Sequence, residues 1–450
     1  MLVRADSLGV TSFVRGLFLG ACCYAPLDHF FHSNAWTLEK LRKTWDQIVR
    51  KYAPLVRVNG KAVLVGDGIK RSKEGYRMPG VKKLHNESEN SSKPSVMFGH
   101  LIGVTGILIG DMRKMFCLPL SATIQDGIKE IGSWVNPRVR QKTHPVQMAE
   151  DAYQAALPFG SVIWTGDRYF PTRPFFHRLT ELNKTEKAHV DVVSRFKLNA
   201  TAYEELPPSY GLKKKRRGAP RKKGAAVKLA DLFESQEDEF KPVQKDLYDK
   251  APEEKYLCRD LLWGQGLYQK MRFVLVRSED GRKSIFGSTD CSLSPEQILS
   301  IYSRRFTIES SFRSMSQTGG FSYHFWSKFT PWLNRYQRKD ASDPMKKVTS
   351  KKEKKRILAA VKATEGFLMC SCISEGILQL LALKFSNSIL SKGLIYLRTQ
   401  SKKIVSEAMV SAFLNRTIFL SLAEHPLLTV TKIIRSLPKM PAFQASHLAA

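Results

Sequence analysis

The stretch SPEQILSIYSRRFTIESSFRSMSQ, residues 294–317, predicts one long helix. Ser294 can cap its first turn, Pro295 occupies the first helical position, and Gln297 stands where the partner of a capping box belongs. Two glycines follow the stretch and end the pattern. Apolar residues, mostly three to five positions apart, predict a face that packs inward: Ile298, Ile301, Phe306, Ile308, Phe312 and Met315.

A line of polar residues accompanies this apolar face. Tyr302, Arg305 and Glu309 follow one another at steps of three and four, and the line continues to Arg313 or Ser316. Such steps put side chains on one face of a helix. The helix therefore presents a carboxylate beside a guanidinium and a phenol. A helix face that only meets solvent is the alternative interpretation.

Two apolar runs elsewhere each deliver an aspartate. AVLVGDGIK, residues 62–70, predicts a buried strand that ends at Asp67, and SVIWTGDRYF, residues 161–170, repeats the pattern with Asp167. An aspartate beside glycine also suits a plain turn, which is the alternative for each of them alone.

The order of the predicted elements around these aspartates indicates the fold class. Two further strands lie within residues 100–120, helices are predicted at 145–157 and 175–182, and a strand at 189–196. Three strands, a helix, a strand, a helix and a strand is the order of an RNase H-like core. There the first carboxylate lies on the first strand and the second just after the fourth. We therefore expect an α/β protein with an RNase H-like mixed-sheet core.

The flanking regions complete a predicted domain plan. Residues 1–60 form a helical region that binds DNA ends or packs on the core, and residues 61–200 and 271–330 form the core. Residues 201–270 form a β-rich and basic insertion. Residues 331–450 form a helical region that dimerises the protein or pads the core. We expect no membrane span, because the apolar run at 366–385 contains charged residues and suits a buried helix better.

The net charge of +31 indicates a polyanionic partner, with nucleic acid ahead of an anionic membrane surface. Lys70 and Arg71 open a basic run directly after Asp67, where they can hold phosphates. KKKRRGAPRKKG, residues 213–224, has eight basic residues in twelve and predicts a DNA-backbone contact or a solvated segment. Its first five cations are Lys213, Lys214, Lys215, Arg216 and Arg217. Seven scattered cysteines argue against a disulfide framework and suit a reducing cytosol.

Asp67, Asp167 and Glu309 together form an ordered set of three acids in a strongly basic chain. In-line cleavage of a phosphodiester is served by two metal ions about 4 Å apart. Mg²⁺ prefers oxygen ligands, and a few carboxylates with water and substrate phosphate suffice. Histidine and cysteine are absent from the set, which disfavours zinc.

The spacing of Tyr302, Arg305 and Glu309 resembles the Tyr-Arg-Glu-Lys signature of DDE transposases of bacterial insertion sequences, in the subgroup with a β-rich insertion. The resemblance covers about residues 60–330. It implies that Asp67, Asp167 and Glu309 bind two Mg²⁺ ions, with Mn²⁺ as a substitute. It also implies a homodimeric synaptic complex on terminal inverted repeats and target DNA, and cleavage through a hairpinned transposon end.

The resemblance further implies that Tyr302 and Arg305 contact the DNA backbone near the cut, with Arg168 following the second aspartate. Hairpin formation turns a base out of the stack, and an aromatic ring stabilises such a base. Trp263 and Phe306 are the candidates, with core packing as the alternative for both. The chain departs from the signature at Ser316, where a lysine is expected; Arg313 is one turn earlier on the helix.

We therefore expect a cytoplasmic, nucleoid-associated enzyme that cleaves transposon ends and transfers the strand into target DNA. A non-catalytic DNA-binding transposition inhibitor or an inactive transposase relic is the alternative. A stand-alone RNase H-like nuclease is a third option, against which the long insertion and the Tyr-Arg-Glu line count.

Overall fold

The computed structural model describes residues 10–16, 20–32, 35–85, 95–111, 114–135, 143–207, 221–243, 254–333, 343–391 and 404–423. The chain is a mixed α/β protein built on one large mixed sheet. The strands are β1 (Arg57–Val58), β2 (Lys61–Ser72), β3 (Lys82–His85), β4 (Val96–Gly110), β5 (Met115–Ile124), β6 (Ser161–Gly166), β7 (His189–Phe196), β8 (Thr201–Tyr203), β9 (Ala226–Lys228), β10 (Lys241–Pro242), β11 (Glu254–Trp263), β12 (Gln269–Ser278) and β13 (Lys283–Ser288).

The helices lie on both faces of this sheet. They are α1 (Val10–Gly16), α2 (Tyr24–His32), α3 (Leu38–Tyr52), α4 (Lys129–Val135), α5 (His144–Ala156), α6 (Arg173–Asn183), α7 (Leu232–Ser235), α8 (Pro295–Ser303), α9 (Thr307–Gln317), α10 (Lys351–Ser391) and α11 (Glu407–Ala423).

The first half of the sheet has the predicted order of elements. Strands β2, β4 and β5 form an antiparallel set, while β6 and β7 add to the other side of β2 in parallel, so the strands lie in the order β5-β4-β2-β6-β7. Helix α5 precedes β6 and α6 precedes β7, as expected for crossovers between parallel strands.

Strand β2 is buried on both faces. Its residues alternate sides, so Ala62 and Leu64 belong to one apolar cluster and Val63 and Val65 to another. The first cluster includes residues of α3, α5 and α6, and the second includes residues of α8 and α9. The side chain of Asp67 continues the second series, on the face that α8 and α9 cover.

The rest of the sheet is antiparallel and continues from β7. Strand β13 pairs with β7, β12 with β13, and β11 with β12 over the full length of a hairpin. The expected boundary at residue 270 falls at the start of β12, inside this hairpin. The β-rich region between the second and third acids is therefore joined to the rest of the sheet by hydrogen bonds.

The terminal helical regions pack on the sheet. Trp45 of α3 is buried and donates its indole N–H to the carbonyl of Pro119 on β5 at 3.0 Å, and its ring fits over Gly376 of α10. Helix α3 therefore packs on β5 and α10, and binding of DNA ends by the N-terminal region stays a prediction. Helix α10 is long and apolar enough to cross a membrane by length and composition, but 61% of its most apolar window is buried inside the protein. All seven cysteines are free thiols.

Candidate active site

The stretch at 294–317 forms two helices joined by a tight turn. The expected start is confirmed, since the Ser294 hydroxyl accepts from the N–H of Gln297 at 3.2 Å while the Gln297 side chain accepts from the N–H of Ser294 at 2.9 Å. The expectation of one continuous helix is wrong. A 3₁₀ turn at Arg304–Phe306 separates α8 from α9. The Thr307 hydroxyl donates to the carbonyl of Arg304 at 2.7 Å, and such side-chain bonds compete with the regular helical pattern.

Both aspartates follow a glycine for the same steric reason. The indole of Trp164 lies so close to Gly66 and Gly166 that a Cβ atom would stand 2.5 Å and 2.1 Å from it. Trp164 therefore requires glycine at both positions, near the carboxyl end of β6. Asp67 and Asp167 come directly after these glycines, and the adjacent strands β2 and β6 bring them together.

The sequence pattern predicted a strand that ends at Asp67, but the strand continues beyond this residue. Strand β2 continues to Ser72 because it stays paired with β4, from Leu64 opposite Ile107 to Ser72 opposite Gly99. Its pairing with β6 ends at Val65 opposite Thr165. Asp67 thus lies beyond the end of the parallel neighbour, in the middle of a long strand, and its side chain is 21% exposed.

Arg305 connects two of the three acids. Its guanidinium lies 3.2 Å from Oδ2 of Asp67 through Nη1 and 3.1 Å from Oε1 of Glu309 through Nη2, although its side chain is only 9% exposed. The hydroxyl of Tyr302 donates to Oδ1 of Asp167 at 3.5 Å. The turn between α8 and α9 places Arg305 in this position. The two aspartates, Tyr302, Arg305 and Glu309 therefore meet at one place. They come from β2, from the residue after β6, and from α8, α9 and the turn between them.

The charges of this cluster perturb one another. Burial raises the pKa of Asp67 to about 6; Arg305 and the N–H of Gly68 oppose this rise, while Asp167 and Glu309 add to it. Burial lowers the pKa of Arg305, but Asp67, Tyr302 and the other two acids outweigh it and raise that pKa above its usual value. Three carboxylates thus surround one cation, which leaves the cluster with an excess of negative charge.

The donor set suits a hard divalent cation, because it consists of carboxylate oxygens. Within the described part of the chain, however, no group of three or more histidine, cysteine, aspartate and glutamate side chains is arranged to hold a metal ion. Arg305 occupies the space between Asp67 and Glu309 instead. Binding of a metal ion by these acids would require Arg305 to give up at least one of its two partners.

The other predicted DNA contacts lie at differing distances from this cluster. Phe306 is 60% exposed and lies 4.7 Å from the guanidinium of Arg305, measured to its ring centroid. Arg313 and Arg168 are exposed, on α9 and directly after Asp167. Lys70 donates to the carbonyl of His85 at 2.7 Å. The role of these residues in DNA binding stays a prediction.

Trp263 lies elsewhere. It is partly buried and meets the rings of Phe176 and Phe196 edge-on, at centroid distances of 5.1 Å and 5.3 Å, within the apolar cluster on the α5 and α6 side. These contacts are those of a core residue. The basic residues Lys213, Lys214, Lys215, Arg216 and Arg217 lie outside the described residues.

Arg71 takes a position that the sequence did not reveal. Its guanidinium donates to the hydroxyl of Ser316 and lies 4.3 Å from the ring centroid of Phe321. A cation from β2 therefore stands beside the helix position where the signature lysine is missing. Lys73, two residues further on, belongs to the basic run after Asp67 that predicted phosphate contacts, but it was not singled out as a site residue. The alternation of Asp67, Arg71 and Lys73 on one strand face was the signal that could have found it.

Comparisons with known proteins give one structural likeness. No protein-family model matches the chain, and no curated protein matches it. Among solved structures, the chain is similar to the cryo-EM structure of a piggyBac transposase synaptic complex with hairpin DNA, at 14% sequence identity and a TM-score of 0.32. The alignment covers 90% of this chain and 63% of that one, so the chain spans less than two thirds of the solved chain's length. At this TM-score, the likeness does not by itself define the function of the chain.

Proposed function

We propose that the chain is a metal-dependent DNA transposase with an RNase H-like catalytic core. The observation that carries this proposal is the meeting of Asp67, Asp167 and Glu309 around Arg305. Residues 238 positions apart in sequence form an ion pair there. Acids that only face solvent have no reason to gather against mutual repulsion.

The strand order supports the same proposal. Three antiparallel strands followed by two parallel ones, in the order β5-β4-β2-β6-β7, is the arrangement expected of an RNase H-like core. Asp67 on the central strand and Asp167 at the end of its parallel neighbour take the two positions expected for the first two acids. Glu309 on α9 supplies the third from above the same face.

In this proposal Asp67, Asp167 and Glu309 hold two Mg²⁺ ions, or Mn²⁺ in their place. When bound, these ions activate the attacking water or 3′-hydroxyl and stabilise the leaving oxygen. Arg305 neutralises two of the acids in the metal-free protein. On release it becomes a guanidinium near the cut that can hold a phosphate of the DNA. Tyr302 orients Asp167 through its hydroxyl.

The proposed substrates are the terminal inverted repeats of a mobile element and its target DNA, cut and joined by a homodimer in the cytoplasm. The net charge of +31 supports a polyanionic partner. The exposed ring of Phe306 beside Arg305 is the candidate for stacking on a base turned out of the duplex.

The test is strand cleavage of a labelled duplex that carries the end of the encoding element. We expect nicking with Mg²⁺, none with EDTA, and none with Glu309→Gln, while duplex binding is retained because the substitution removes negative charge. Glu279→Gln is the matched control, since it removes the same charge from an exposed site outside the cluster. Equal cleavage by the Glu309→Gln variant and the wild type would refute the assignment.

A non-catalytic DNA-binding protein is the second candidate function. The absence of the lysine at position 316 favours it. Such a protein would bind the same duplex with the same salt dependence but would not cut it with any divalent ion.

A further inference from the structure

A pair of half-buried cations lies on the strand face that carries Asp67. Arg71 follows Asp67 by four residues in β2, and Lys73 follows directly after the strand, so all three side chains point to the same side of the sheet. The rise of about 3.3 Å per strand residue puts the Cα atoms of Asp67 and Arg71 roughly 13 Å apart. This is about four base steps along the axis of a duplex.

Carbonyl oxygens and aromatic rings hold both cations in place. Arg71 donates to the carbonyl of Phe312, in the middle of α9, at 3.4 Å, and to the hydroxyl of Ser316 in the last turn, where the helix dipole favours positive charge. Lys73 donates to the carbonyls of Phe321 and Tyr323, both at 2.8 Å, and its Nζ lies 3.7 Å from the ring centroid of Tyr323. The two side chains are thus fixed in direction by neutral groups.

No acid balances this pair. Among the described residues, neither Arg71 nor Lys73 forms an ion pair with a carboxylate, and Nε of Arg71 is buried without a hydrogen-bond partner. Lys82 on β3, in contrast, is paired with Asp126 at 2.6 Å. Burial and, to a lesser degree, the charge of Arg71 together lower the pKa of Lys73 to about 8. Two fixed cations that repel each other are a site prepared for an anion.

We infer that Arg71 and Lys73 form a binding site for a backbone phosphate of DNA, on the strand that flanks the proposed cut. This inference rests on the proposed function for the identity of the polyanion. It also gives a role to the hydrogen bond between Arg71 and Ser316. The cation that α9 lacks at position 316 is supplied by β2, so the serine leaves room for Arg71.

The position of Ser316 allows a test that does not remove either cation. Ser316 is exposed and contacts Arg71, whereas Gln317 is exposed at the next position of the same helix end. The substitution Ser316→Glu places a carboxylate beside the guanidinium of Arg71. This carboxylate then takes the place of the DNA phosphate as the partner of Arg71. Gln317→Glu adds the same charge beside it and is the matched control.

The measurement is the affinity for a short fluorescent duplex of fixed sequence, taken across a series of salt concentrations without divalent ions. Each phosphate contact contributes about 0.9 to the slope of log affinity against log salt. We expect Ser316→Glu to reduce this slope by about 0.9, and Gln317→Glu to leave it unchanged. Arg71→Gln and Lys73→Gln should each reduce the slope by the same amount, while Arg282→Gln, on an exposed hairpin turn, should not.

An unchanged slope in Ser316→Glu, with the protein folded, would overturn the inference. So would equal losses in Ser316→Glu and Gln317→Glu, because the effect would then be a general one of charge. The readout involves no cleavage. A reduced slope in a protein that never cuts DNA would therefore leave the phosphate site standing while refuting the proposed nuclease.

Discussion

Two clusters, each made of acids around one cation, lie along β2, one at the start of the strand and one in its middle. At its start, Lys61 lies 2.6 Å from Asp191 and 2.7 Å from Asp290. In its middle, Arg305 lies 3.2 Å from Asp67 and 3.1 Å from Glu309, with Asp167 close by. Both clusters are assembled from distant parts of the chain, and the sequence pattern singled out only the second.

The difference between them is electrostatic balance. Burial acts to raise the pKa of Asp290, but hydrogen bonds from Lys61 and Ser292 outweigh it and lower that pKa. Asp191 also accepts from the hydroxyl of Thr289 at 3.2 Å. At Asp67, burial wins and the pKa rises to about 6. At Lys61 the hydrogen bonds outweigh the cost of burying the acids, and the cluster holds strands together. At Arg305 they do not, and a further cation would relieve the repulsion among three acids.

The largest expected effect separates the two clusters by activity. Asp167→Asn should reduce metal-dependent cleavage at least about a hundredfold, because losing even an outer partner of a metal ligand costs about 10–100-fold and Asp167 is proposed as a ligand itself. Asp191→Asn should leave the cleavage rate per folded molecule within about twofold of the wild type. Rates are measured on the labelled duplex and divided by the folded fraction. Loss of cleavage in the Asp191 variant alone would reverse the assignment of the clusters.

Stability should show the opposite order. Asp191→Asn leaves Lys61 with one acid and weakens a buried bridge, which we expect to cost roughly 2–3 kcal/mol because breaking such pairs costs 3–5 and Lys61 is 25% exposed. Asp167→Asn should change the free energy of unfolding by less than about 1 kcal/mol, because Asp167 accepts only a long bond of 3.5 Å from Tyr302 and its loss relieves repulsion of Asp67. Denaturant unfolding of both variants provides the comparison.

The pH dependence follows from the raised pKa of Asp67. The folded protein keeps a proton on Asp67 up to a pH of about 6, whereas the unfolded chain loses it near its ordinary value of 3.8. Stability from this group therefore falls as the pH rises from about 4 to about 6. Asp67→Asn should reduce that slope and stabilise the protein at pH 7 by roughly 1–2 kcal/mol. Part of the slope should remain, because burial also raises the pKa of Asp46 to about 7 and that of Glu375 to about 8.

Asp290 should respond in the other direction, because its pKa is lowered on folding. Its contribution is present above its ordinary pKa and is lost as the pH falls below it. Unfolding curves of Asp67→Asn and Asp290→Asn across the acidic range would distinguish the two. If the slope between about pH 4 and pH 6 is unchanged in Asp67→Asn, the groups responsible lie elsewhere.

The smallest expected effect is stabilisation by Mg²⁺. An ion present at about ten times its dissociation constant should add roughly 1.4 kcal/mol to the free energy of unfolding of the wild type. Glu309→Gln should abolish the gain, and Asp191→Asn should retain it. The thermal midpoint with Mg²⁺, with Ca²⁺ and with EDTA measures this. A gain that survives in Glu309→Gln would point to a metal site elsewhere.

The sequence predicted those parts of the fold that rest on local pattern. Alternating and continuous apolar runs located β2, β4, β6 and β7, and the Ser294 capping box located the start of α8. The two Gly-Asp pairs pointed to Asp67 and Asp167 without showing their cause. That cause is the indole of Trp164, which lies against both glycines and depends on the pairing of β2 with β6.

Other features depend on contacts that no local pattern encodes. The 3₁₀ turn at Arg304–Phe306 interrupts a stretch whose apolar spacing suits one helix, since hydroxyls of Ser303 and Thr307 bond to nearby carbonyls. The bond from Arg71 to Ser316 joins residues 245 positions apart. This bond forms because α9 packs over β2, and no local sequence pattern shows that packing. For the same reason the sequence did not predict the ion pair between Lys61 and Asp290, which follows β13.

The ion pair between Arg305 and Asp67 has a consequence for synthesis of the protein. Ribosomes add about 5–20 residues per second, so roughly 12–50 seconds separate the appearance of Asp67 from that of Arg305, 238 residues later. A nascent chain that already contains Asp67 and Asp167 therefore lacks the third acid until Glu309 has been added. The cluster can form only after α9 has left the ribosome, so a product truncated before Glu309 would lack the proposed activity.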